Sequence, residues 1–234
     1  MHVVIFGATG MVGAGVLREC LADPRVASVL VVGRSGCGVA HPKLTEVIHG
    51  DLFDLSPLEE RFRGKDACFF CLGVSSFRMS EAEYHRLTHD LTLGAARLLA
   101  QASPAMTFCY VTGVGTDSTE RGRTMWARVK GKTENRLLEL PFRAVYLFRP
   151  GYIQPLDGIR SKTRLYQAMY DVVGFLYPLM KRVLPHHLTT TRAVGRAMIQ
   201  AAAAGYHTPF LETPDINALS LQAERTSASS PSAP

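Results

Sequence analysis

His2-Val3-Val4-Ile5-Phe6-Gly7-Ala8-Thr9-Gly10-Met11-Val12-Gly13 opens the chain, and its reading decides the fold. A short apolar, β-branched strand leads into three glycines at intervals of three, and an apolar-periodic run to Cys20 follows. Glycine lets the backbone turn tightly and approach a pyrophosphate, while the helix beyond offers free N–H groups and the positive end of its dipole. Glycines also mark ordinary turns. The strand before and the helix after give this spacing its meaning, and both are present. The stretch predicts a dinucleotide site with Gly7, Thr9, Gly10, Met11, Val12 and Gly13 as candidate contacts.

Strands and helices alternate outward from this motif. Residues 26–32, 44–48, 66–72, 106–112 and 142–149 read as further strands, with helices over 81–101 and 123–140 between the later ones. Such alternation argues for an α/β fold with a doubly wound parallel sheet of Rossmann type and the ligand at the carboxyl ends of its strands. Arg34 ends the second strand about twenty residues past the last motif glycine, where an NAD-binding unit places a carboxylate against the ribose 2′-hydroxyl. A guanidinium there suits a 2′-phosphate and favours NADP(H). Asp51 and Leu52 follow the third strand, as an adenine contact or as the start of the turn before Ser56-Pro57, where serine caps a helix. Gly73, after the fourth strand, permits close approach of a cofactor.

Beyond Tyr152 the alternation stops. Residues 1–152 read as the dinucleotide-binding domain, 153–216 as a small, mostly helical cap or C-terminal part of the same domain, and 217–234, rich in Ser, Ala and Pro, as a disordered tail. An amphipathic helix over 164–184 caps the pocket in the preferred reading. Contact with a protein, a second copy in a homodimer, or a membrane surface stays open.

The 234 residues suffice for one α/β domain, and 47% hydrophobic and 20% charged residues exclude wholesale disorder or a fibre. A net charge of +6 without aromatic interleaving points away from nucleic acid. The chain begins at once with a strand, so no signal peptide is expected. No stretch reaches the roughly eighteen apolar residues of a membrane span, and the expected location is cytoplasmic. Five scattered cysteines suit a reducing compartment. Cys68 and Cys71 form a C-x-x-C within a strand, where residues three apart point to opposite faces and cannot chelate one ion. His85 and His89 have metal-ligand spacing on a helix, but the sequence shows no third ligand, and a surface pair is preferred; no metal is expected.

Through Gly7-Ala8-Thr9-Gly10, Gly33-Arg34, Cys71-Leu72-Gly73, residues 112–117, Val129-Lys130-Gly131 and Phe148-Arg149-Pro150-Gly151, the chain resembles an atypical short-chain dehydrogenase/reductase. The likeness, over residues 2 to about 151, is to the NAD(P)H-binding, epimerase-like branch that includes the Tat-interacting oxidoreductases. It implies a Rossmann-type fold with NADPH as cofactor, and it adds Leu72, Thr112, Lys130, Pro150 and Gly151 to the cofactor contacts. In that superfamily a Y-x-x-x-K pair works with a hydroxyl at the end of the fifth strand: lysine holds the ribose and lowers the tyrosine pKa, and tyrosine exchanges a proton with the substrate. Lys130 matches the lysine and Thr112 the hydroxyl partner, but the tyrosine position holds Trp126, whose indole N–H cannot exchange a proton near neutral pH. Tyr152 is the candidate substitute; packing is its alternative role.

Two functions remain. One is an NADPH-dependent oxidoreductase acting on a small carbonyl-type substrate, with Thr112 polarising the oxygen, Lys130 on the ribose, and water or Tyr152 donating the proton. The other is a non-catalytic NADPH-binding protein in which cofactor occupancy orders residues 153–188 for a protein or membrane partner.

Overall fold

The computed structural model describes residues 1–159 and 185–229. The expected 164–184 helix lies outside the described residues. Seven strands form one parallel sheet: β1 (His2–Phe6), β2 (Ser28–Gly33), β3 (Leu44–Ile48), β4 (Ala67–Phe70), β5 (Thr107–Val111), β6 (Ala144–Arg149) and β9 (Phe210–Glu212), in the order β3-β2-β1-β4-β5-β6-β9. Between the last two in sequence, β7 (Tyr152–Gln154) and β8 (Leu188–Thr190) make a separate two-stranded parallel pair. The strand order reverses between β1 and β4, which opens a crevice at their carboxyl ends.

Helices cover both faces, so the central strands are apolar throughout instead of alternating with polar residues. Val3, Ile5, Val29, Val31, Phe69 and Phe148 face α1 (Met11–Ala22), α6 (Thr191–Ala204) and α7 (Thr213–Ser229). Val4, Phe6, Leu30, Val32, Phe70, Phe108 and Leu147 face the other layer, which includes α2 (Glu59–Phe62), α4 (Leu91–Ala102) and α5 (Met125–Leu138). Cys68 lies in the second core and Cys71 packs on the first, as the two-residue period of a strand requires.

Of the two readings of residues 153–216, the C-terminal part of the same domain fits residues 188–216: β9 pairs with β6 in register Leu147↔Phe210, and α6 packs on α1. Glycines allow that close crossing, since a Cβ at Gly15 would lie 2.6 Å from Thr191 Cβ and one at Gly195 would lie 2.9 Å from Glu19 Cγ. One expectation needs correction: residues 217–229, expected within a disordered tail, are helical, within α7, because Ile216, Leu219 and Ala223 are buried; a composition of small residues hid that stripe. The helix expected over 81–101 is present and runs to Ala102, with one turn wider than α. α3 (Glu81–His85) passes into α4 through a π turn, Arg86–Asp90. A smaller difference concerns Ser56, which does not cap a helix; its N–H and hydroxyl donate to Asp54 Oδ1 at 3.0 and 2.6 Å.

Candidate functional site

At the β1–α1 turn the backbone leaves no room for side chains. Gly7 has φ +80°, and a Cβ there would lie 2.7 Å from the backbone of Cys71 and Leu72. One at Gly13 would lie 2.1 Å from the Gly7 carbonyl oxygen. Gly10 is the N-cap of α1 without a side-chain cap, and the first turn holds no acidic residue. The free amides there meet no competing carboxylate from their own turn. Met11 and Val12 are half-buried in that first turn, and Gly13 is buried.

A cavity of about 350 Å³ opens beside this turn, lined by Gly7, Ala8, Thr9, Val31, Val32, Gly33, Arg34, Ser35, Leu52 and Leu72. It thus brings Gly7, Thr9, Arg34, Leu52 and Leu72 together from four separate strand ends. Arg34 is exposed and, among the described residues, makes no ion pair. Gly73 follows, with open space where a Cβ would stand. Asp51 lies outside the lining, exposed, with Oδ1 accepting from the Phe53 N–H at 2.9 Å. Apolar walls, a glycine cradle, a bare helix N-terminus and a free cation suit a dinucleotide.

Lys130 and Thr112 are assembled by α5. Gly131 lets that helix press on the β5–α5 loop, since a Cβ there would lie 1.8 Å from the Asp117 carbonyl oxygen. The Lys130 ammonium donates to the Thr112 carbonyl at 2.6 Å. Burial pulls its pKa down to about 8, with the Glu134 carboxylate acting in the opposite direction. The Thr112 hydroxyl does not face a substrate position unengaged. It donates to Glu134 Oε1 at 2.6 Å, within reach also of the Phe148 carbonyl at 3.2 Å. One hydroxyl has one proton to donate.

Glu134 and Arg149 were not singled out by the sequence. Glu134 is wholly buried and accepts from Arg149 Nε at 3.1 Å on each oxygen, and from Arg149 Nη2. A signal was available: a glutamate on the inward side of α5, one turn after Lys130, needs a buried cation, and Arg149 ends the neighbouring inner strand β6. Trp126, half-buried at the start of α5, lays its ring alongside Gly115; a Cβ there would lie 3.6 Å from Trp126 Cη2. Pro150 is buried and its carbonyl accepts from the Val114 N–H at 3.0 Å. The Gly151 N–H donates to Thr213 Oγ1 at 2.9 Å. Tyr152 begins β7, away from α5 in the chain, and its hydroxyl donates to Gln154 Oε1 at 3.0 Å.

Residues 3–119 match the NAD dependent epimerase/dehydratase family. The chain belongs to that family. As an epimerase/dehydratase-family protein it is an NAD(P)-binding Rossmann protein of the atypical short-chain dehydrogenase/reductase type. Among curated proteins, the family member is 29% identical over 154 residues to Protein HTATIP2 of Rattus norvegicus, covering 64% of this chain and 62% of that one. It therefore spans less than two thirds of the rat protein. Over 200 residues it is 26% identical to Protein fmp52-2, mitochondrial, of Aspergillus terreus, covering 85% of each. Among solved structures, WbmF of Bordetella bronchiseptica in complex with NAD+ matches with a TM-score of 0.63 at 16% identity, over 99% of this chain and 79% of that one. At that identity the likeness speaks for the fold alone.

Proposed function

We propose that this epimerase/dehydratase-family protein binds NADP(H) and acts as an oxidoreductase on a small carbonyl-type substrate. The observation that carries the cofactor preference is Arg34 on the cavity wall, exposed and without an ion-pair partner among the described residues. A 2′-phosphate gives that guanidinium the bidentate partner it lacks. The first-turn amides of α1 hold the pyrophosphate, Leu52 and Leu72 flank the adenine, and Lys130 holds the nicotinamide ribose. Bound NADPH supplies the hydride.

The proton is the harder part. Trp126 cannot exchange one, the Thr112 proton is given to Glu134, and Tyr152 is engaged with Gln154. Lys130 is the group suited to the task, because a pKa of about 8 lets an ammonium give up and regain a proton near neutral pH. In this reading the ammonium, held by the Thr112 carbonyl, passes its proton through water to the substrate oxygen. We place the protein in the cytoplasm, on its free cysteines.

Calorimetry tests the cofactor. Arg34→Asp is expected to weaken NADPH by roughly 10- to 100-fold, the worth of a charge-assisted contact, and to leave NADH nearly unchanged. Equal losses for both coenzymes would refute the role of Arg34. NADPH consumption against a panel of carbonyl compounds tests the chemistry: Lys130→Ala is expected to abolish turnover and Tyr152→Phe to spare it. A second reading, an NADP(H)-responsive binding protein without catalysis, is favoured by the engagement of Thr112 with Glu134 and by Trp126 in the tyrosine position. Tight NADPH binding without turnover across the panel would select it.

A further inference from the structure

At 3.6 residues per turn, a residue five positions after His85 lies roughly 140° around a regular helix and faces elsewhere. Here the Leu91 N–H donates to the Arg86 carbonyl, five residues back, and the widened turn carries Asp90 back under the histidines. His85 Nδ1 and His89 Nδ1 lie 3.2 and 2.9 Å from the same Asp90 Oδ1, and the two rings stack with centroids 4.3 Å apart. The ligating atoms of all three residues fall within 4.8 Å of one another. For a tetrahedral ion with bonds near 2.0 Å, neighbouring ligands stand about 3.3 Å apart. Nitrogen and oxygen are thus already near the edges of such a polyhedron.

A second observation falls on the same turn. Thr88 Oγ1 and His89 Nε2 are the buried side-chain polar atoms that, among the described residues, have no hydrogen-bond partner. Leaving each unpaired costs about 1–3 kcal/mol. A π turn is itself uncommon and is frequently found at functional sites. The extra residue converts a histidine pair of ordinary helical spacing into a three-ligand set, with the Nδ1 atoms of both rings on one Asp90 oxygen.

We propose that His85, His89 and Asp90 bind a divalent transition ion of the zinc class at the turn joining α3 to α4, with water in the fourth position. Two imidazoles and a single carboxylate select such an ion over calcium or magnesium, which take several oxygen ligands. Lys132 on the facing helix α5, against which the turn packs, brings a positive charge near His89, and the Asp90 carboxylate sits on that same imidazole. The ion holds the turn in its widened form, beside the helix that carries Lys130.

Untagged full-length protein, stripped with a chelator, is titrated with Zn2+ by calorimetry and with Co2+ by absorption. One Co2+ per chain is expected, with visible d–d bands of a nitrogen/oxygen tetrahedral site and no thiolate-to-cobalt charge transfer. His85→Gln and Asp90→Asn, at half-buried and exposed positions, are each expected to lower affinity at least about tenfold with an unchanged far-ultraviolet dichroism spectrum. Absence of binding would overturn the proposal. So would a thiolate band, which puts the ion on cysteine, or wild-type affinity in either variant, which puts it elsewhere, for instance at His186 and His187.

Discussion

Replacing Glu134 with glutamine is expected to loosen the whole β5–α5–β6 corner. The carboxylate is fully buried and accepts from Thr112 Oγ1 at 2.6 Å and from Arg149 Nε at 3.1 Å. Glutamine turns one of those acceptors into a donor that faces the donors of Arg149. The guanidinium, whose side chain is 13% exposed, then keeps one amide oxygen, Ser118 Oγ, the face of the Phe210 ring and, as its remaining carboxylate, Glu212, 3.7 Å away and itself 46% exposed. Breaking a buried pair on one side costs about 3–5 kcal/mol. Because Glu212 remains, the lower end is expected, about 3 kcal/mol. With a urea slope near 2–3 kcal/mol per molar, the unfolding midpoint falls by roughly 1 M at unchanged slope. The same substitution removes the charge that opposes burial at Lys130, so the lysine pKa drops below its value of about 8, measurable with carbon-13-labelled lysine. Replacing both partners, Glu134→Leu with Arg149→Met, is expected to recover most of the stability, since apolar residues of similar volume substitute well for buried ion pairs. A midpoint shift under about 0.3 M for Glu134→Gln would refute the reasoning.

Lys130 imposes a pH dependence of its own. Its folded pKa of about 8 lies below the ordinary 10.5, so the unfolded chain binds more protons between those values and stability rises with pH across that window. The rise is on the order of 3 kcal/mol from this group, and it is expected to be missing from the unfolding curves of Lys130→Met. Trp126 is the sole tryptophan, and binding of NADPH is expected to quench its emission and excite the cofactor by energy transfer. An unchanged spectrum during demonstrated binding would take Trp126 away from the site. Gly13→Ala sets a methyl group 2.1 Å from the Gly7 carbonyl and is expected to lower the melting temperature and abolish calorimetric NADPH binding together; retained affinity would separate the glycine cradle from the cofactor.

The nucleotide-binding half was legible because its signals are local. A strand, a glycine turn and a helix within residues 2–22 obey short-range rules of period and backbone freedom, and parallel order follows from the alternation. Arg34 could be found by counting from the glycines. The C-terminal part was less legible because its signals are weak locally: β9 has three residues, and the buried stripe of α7 is made of Ile216, Leu219 and Ala223 among serines and threonines. Their burial depends on a sheet edge and a helix supplied by residues far earlier in the chain.

From its sequence alone this protein was committed to a Rossmann-type sheet, a dinucleotide cradle and an arginine at the ribose position, because each follows from residues a few positions apart. Tertiary structure alone decided that the Thr112 proton goes to Glu134, that Glu134 meets Arg149 across two elements, and that a π turn brings Asp90 to His85. Hydrogen bonds and ion pairs are won by whichever donor and acceptor the packed chain brings within about 3 Å, and spacing along the sequence does not carry that distance.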